Sequence, residues 1–98
     1  MSHIIVAFGK RENAANIRNV LVRSGMEVSA ACLTGTKVLQ YADTWNEGII
    51  ICGYTLQDMQ YTELREYLPE SFQMLLIASP AKWSDGLPDG VVGLPMWK

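Results

Sequence analysis

Gly48-Ile49-Ile50-Ile51-Cys52-Gly53-Tyr54 sets four consecutive apolar residues between two glycines. A run without in-out alternation belongs to a strand covered on both faces, and such strands lie in the middle of parallel sheets in α/β domains. In an open parallel sheet, ligands and reactive groups gather just beyond the carboxyl ends of the strands. The residue in that place here is Gly53, which has no side chain to offer.

Outward from this strand the hydrophobic period alternates between the two values that distinguish strand from helix. Towards the N-terminus, His3 to Phe8 is rich in β-branched residues and predicts a first strand. From Glu12, the residues Ala14, Ile17, Val20 and Leu21 recur at helical spacing, and Gly25 is placed to end that helix in the left-handed conformation. Val28 to Leu33 predicts strand two. A second helix, capped by Thr34 or Thr36, buries Val38, Leu39, Ala42 and Trp45 and stops before Gly48. Towards the C-terminus, Thr55-Leu56-Gln57-Asp58 has the spacing of a capping box for a third helix, whose apolar stripe is Tyr61, Leu64 and Leu68 and whose stop is Pro69. Met74 to Ala78 predicts strand four, and Val91 to Leu94 a short strand five. Between them, Ser79 to Asp89 contains two prolines and no helical periodicity, so it reads as loop.

The order β-α-β-α-β-α-β-loop-β, with right-handed crossovers, predicts an α/β fold: a doubly wound, parallel, five-stranded sheet of flavodoxin-like type, strand order 2-1-3-4-5. A loop stands in for the fourth helix and the fifth helix is absent. The 98 residues make one domain, and 49% hydrophobic content suffices for a core. A net charge of -2 supplies no positive field for nucleic acid, and no apolar run reaches membrane-spanning length. Direct nucleic-acid binding and membrane insertion are therefore not expected. Cys32 and Cys52 lie in apolar runs without a secretory pattern before them, which predicts reduced thiols in the cytoplasm.

The blocks Ile4-Ile-Val-Ala-Phe-Gly9, Ile17-Arg-Asn-Val-Leu21 with Gly25 beyond it, Thr34-Gly35 and Ile49-Ile-Ile-Cys-Gly53 give the chain a rhythm that resembles a response-regulator receiver domain of two-component systems. The resemblance covers residues 3 to 79 and resumes at Gly90 to Pro95. It implies a phosphate-accepting Asp after strand three, two acids after strand one that hold magnesium, and a hydroxyl and a lysine that recognise phosphoryl oxygens. Here the acceptor falls on Gly53, or on Cys52 in the neighbouring register. The acid pair falls on Phe8 and Gly9, which lack the hard oxygen ligands magnesium needs. The lysine falls on Leu94 and the aromatic switch residue on Val91, leaving only a hydroxyl at Ser79, a position that falls on Ala78 in the neighbouring register.

The resemblance is thus to a degenerate pseudo-receiver, such as those of ANTAR-type transcription or antitermination regulators. It implies a non-enzymatic domain, with no cofactor and no metal, that works by homodimerisation or by docking to a protein partner or output domain. The alternative is a small flavodoxin-like ligand binder or enzyme using the crevice at the carboxyl ends of strands one, three and four. Residues do little for the alternative. Phe8 to Asn13 has one glycine and no phosphate-loop pattern, Cys52 has no base beside it, and His3, Cys32 and Cys52 have no zinc spacing. Asp58, Glu63 and Glu66 read as capping or solvated carboxylates. The expected interface is instead the region without helices, around Val91, Leu94, Met96 and Trp97, unless Trp83 or Trp97 folds back over it.

Overall fold

A computed structural model describes residues 3–78, 86 and 87, and 90–95, the last two as backbone only. The elements follow one another as β1 (His3–Ala7), α1 (Arg11–Arg23), β2 (Ala30–Cys32), α2 (Gly35–Trp45), β3 (Gly48–Cys52), α3 (Tyr61–Tyr67), β4 (Phe72–Ala78) and β5 (Val91–Pro95). All five strands are parallel and lie in the order β2-β1-β3-β4-β5. The fold is a flavodoxin-like α/β sheet, with the Gly48 strand at its centre. Whether a loop replaces a helix between β4 and β5 concerns residues 79–89, of which only 86 and 87 are described.

The register runs Val6, Ile51, Leu75, Val92 across one row of the sheet and Ile5, Ile50, Met74, Val91 across the next. Because side chains alternate along a strand, these two rows face opposite sides. The side shared by α2 and α3 holds the larger core, which includes Ile5, Ile50, Cys52, Leu64, Phe72 and Met74. The other side is covered by α1 alone and buries only Val6, Phe8, Ala14, Ile51 and Ile77 among the described residues. Among the described residues α1 is the one helix on this side, and it leaves Ile4, Ile49 and Leu75 half buried.

Helix ends follow local chemistry. α1 stops at Arg23, and Gly25 beyond it takes φ 87°. Thr34, not Thr36, caps α2, its hydroxyl accepting from Lys37 N–H at 3.1 Å, and Asn46 ends that helix at φ 67°. Arg65 closes α3, its guanidinium donating to the carbonyls of Phe72 at 2.6 Å, Pro69 at 2.7 Å and Leu68 at 3.3 Å. Leu68 ends α3, Pro69 lies in the turn beyond it and Phe72 begins β4, so one guanidinium joins the helix end to the start of the next strand.

Thr55 to Asp58 departs from its expected role. α3 begins at Tyr61, and Thr55 bridges to Gln60 across a tight turn closed by Leu56 N–H on Met59 C=O at 2.8 Å. The spacing matched a capping box, but the turn sends Asp58 across to a different helix. In β1, Ile5 and Val6 are fully buried, whereas Ile4 on the α1 side is half buried.

Candidate functional site

The carboxyl ends of β1 and β3 place Phe8, Gly9 and Gly53 side by side, as the register Ala7 to Cys52 requires. Phe8 N–H donates to Cys32 C=O and Gly53 N–H to Ala7 C=O, so both chains leave the sheet with their backbones still paired. Phe8 is buried, and its ring lies over Gly53: a Cβ at position 53 would come within 2.7 Å of Phe8 Cδ2. The space that a side chain after β3 would occupy is taken by an aromatic ring. Glycine is required at 53 by this close approach.

The turn after β3 then folds over the end of β1. A Cβ on Gly9 would lie 2.8 Å from Thr55 O, Gln57 Nε2 donates to Gly9 C=O at 3.1 Å, and Gln57 N–H donates to Leu33 C=O at 3.0 Å. Leu56, in the same turn, is buried. The crevice at which open α/β sheets bind ligands is therefore roofed by residues 55–58 and filled from below by Phe8.

Asp58 completes the roof. Its Oδ1 accepts from Gly35 N–H at 2.6 Å, and its Oδ2 accepts from Thr36 N–H at 3.1 Å and from the Thr36 hydroxyl at 2.7 Å. Free N–H groups and the helix dipole at the start of α2 favour an anion, and the chain supplies its own. Although desolvation pushes the other way, these hydrogen bonds hold the Asp58 carboxyl below the usual aspartate range. Three strand or helix ends are thus tied to one turn: β1 through Gly9, β2 through Leu33 and α2 through Asp58.

The remaining expected positions lie apart from this cluster. Leu94 sits in β5 opposite Ile77, two strands away from Gly53. Ser79, Met96, Trp97 and Trp83 lie outside the described residues. Val91, expected at an interface, is buried against the α2–α3 side, and its neighbour Val92 is the exposed one, at 57%. The correction is a matter of strand parity, since residues 91 and 92 point to opposite faces.

Neither thiol is poised for chemistry. Burial pushes Cys52 up to about 12 and Cys32 up to about 11, the Lys37 charge opposing it at Cys32, and both are free and buried. Among the described residues no group of His, Cys, Asp and Glu side chains is arranged to hold a metal ion, and no helix is long and apolar enough to cross a membrane.

Sequence reasoning missed Gln57 and Asp58 as latch residues and Val92 as the outward residue of β5. Asp58 carried a signal, a carboxylate beside a helix-capping pattern, but nothing local says that it serves a helix 23 residues earlier. No family model, curated protein or solved structure matches the chain.

Proposed function

We propose that this chain is a non-catalytic, receiver-like domain that works independently of phosphorylation, by binding a protein: a second copy, or a partner or output domain in signalling or in transcription or antitermination control. The observation that carries this reading is the Phe8 ring seated over Gly53. In a receiver that space belongs to a phosphorylated aspartate and its metal, and here it is filled by hydrocarbon. A cytoplasmic setting belongs to the same reading and is supported by two free thiols. The rival, a ligand binder using the same crevice, has less support because Phe8 and the Gln57 turn occupy it.

Incubation with acetyl phosphate and magnesium, followed by intact-mass analysis, tests the proposal. The expected result is no covalent phosphate. A hydroxylamine-sensitive phosphate adduct overturns it. Thermal shift with nucleotides, flavins and inorganic phosphate tests the rival, and the expected result is no saturable stabilisation.

A further inference from the structure

Met59 lies in the turn that roofs the crevice. Its side chain is half buried, packs against the α2–α3 core and sits on Gly35, the buried first residue of α2. The contact is close: a Cβ on Gly35 would collide with Met59 Sδ and would lie 2.6 Å from its Cγ and 2.8 Å from its Cε. Only a glycine at 35 leaves room for the thioether. Two neighbouring residues therefore hold the roof to α2, Met59 by packing and Asp58 by hydrogen bonds. The bond from Leu56 N–H to Met59 C=O at 2.8 Å and the Thr55–Gln60 bridge keep the turn tight, so a shift of Met59 is passed on to Asp58.

The donors at this helix end are all engaged. Gly35 N–H donates to Asp58 Oδ1, Thr36 N–H and the Thr36 hydroxyl to Asp58 Oδ2, Lys37 N–H to the Thr34 hydroxyl, and Val38 N–H to Thr34 C=O at 3.3 Å. A new acceptor placed here would find no vacant N–H.

We propose that Met59 makes the roof a redox-sensitive latch, which a peroxide opens by converting the thioether to its sulfoxide; the inference does not depend on the interaction-domain reading. One oxygen atom is transferred. The O–O bond of hydrogen peroxide breaks and an S–O bond forms, sulfur being oxidised by two electrons while the peroxide is reduced and leaves as water. The product exchanges an apolar side chain for a polar one. Its oxygen must displace Asp58 from Gly35 or Thr36, stay buried without a partner, or turn out to water and carry the side chain off Gly35. Each route weakens the hold of residues 55–60 on α2. The other described methionines are placed differently, Met74 fully buried within the sheet and Met26, 50% exposed, on the α1 side.

The test treats the whole 98-residue chain with hydrogen peroxide, locates sulfoxide by peptide mass mapping and reads the latch by amide hydrogen exchange. Met59 is expected to oxidise after Met26 and well before Met74. Its oxidation is expected to speed exchange at Gly35, Thr36 and Leu56 by about tenfold or more, the factor that matches loss of one hydrogen bond to a charged group. Ile50 and Ile51, in the central strand, are expected to change far less. Met59→Leu keeps apolar bulk without a sulfur, and under peroxide it should exchange like its untreated form. The remaining methionines and both cysteines are common to the two proteins, so their difference reports position 59. Met59→Gln should exchange fast without peroxide. A methionine sulfoxide reductase should return the oxidised chain to slow exchange, a control that needs no variant. The proposal is overturned if oxidised Met59 leaves Gly35, Thr36 and Leu56 protected, or if Met59→Leu responds to peroxide as the unaltered chain does. It is equally overturned if Ile50 and Ile51 accelerate as much as Gly35, if Met59 resists oxidation as long as Met74, or if reduction leaves exchange fast.

Discussion

Gly53 and Phe8 act as a pair, because the ring fits only where no Cβ stands. Gly53→Ala is expected to cost about 1–3 kcal/mol of unfolding free energy through overpacking. Phe8→Leu makes room at a cost of its own, and the double variant should be more stable than the sum of the two losses implies. Urea denaturation of all four proteins measures that coupling, and strict additivity would show that the ring and the glycine do not meet. Asp58 offers a second residue test. Its folded carboxyl titrates below its unfolded value, so its contribution is present above the ordinary aspartate range, near pH 4, and is lost as pH falls through the lowered value. Asp58→Asn, which removes the charge and one of the two acceptor oxygens, should cost about 0.5–1.5 kcal/mol at pH 7, and the difference between the two proteins should shrink in acid. Equal stability at both pH values would remove the latch.

Among the elements, β5 shows how one residue of parity decides a surface. Val91 is 9% exposed and Val92 57% exposed, although the two are identical in kind and adjacent. Val92→Glu should change stability by no more than about 0.5 kcal/mol, as surface substitutions do, whereas Val91→Glu should cost about 3 kcal/mol or more by burying a charge without a partner. Thermal unfolding of the two variants checks the parity directly. The end of α3 depends on Arg65 in the same specific way. Arg65→Met keeps much of the apolar stem but removes donors to three carbonyls, and should cost about 1–3 kcal/mol. A neutral result would mean that water satisfies those carbonyls equally well.

Across the whole molecule, the two faces of the sheet are unequal. Among the described residues two helices cover the side that holds both cysteines, and one covers the other. A thiol reagent at pH 8 should therefore leave native Cys52 unreacted, since the thiol is buried and its pKa stands near 12, and labelling should follow global opening, slowing as stability rises. Rapid labelling of the native chain would contradict the tight α2–α3 side. The same asymmetry places the available apolar surface beside α1.

Much of this was legible in the residues before any coordinates. The Ile49–Ile51 run between glycines, the helical spacing of Ala14, Ile17 and Leu21, and the stop at Pro69 specify five strands, three helices and their order, because period and chain-breaking chemistry act over a few neighbours. The missing acidic side chains at Phe8, Gly9 and Gly53 were equally plain. Folding in three dimensions settled what fills their place. The Phe8 ring, the Gln57 bond to Gly9 and the Asp58 bonds to α2 join residues 22 to 48 positions apart, and no local pattern encodes which helix end a turn will reach. Which of Val91 and Val92 faces outward was likewise open, since a pair of equal apolar residues has no alternation to read, and the sheet's pairing with β4 sets it.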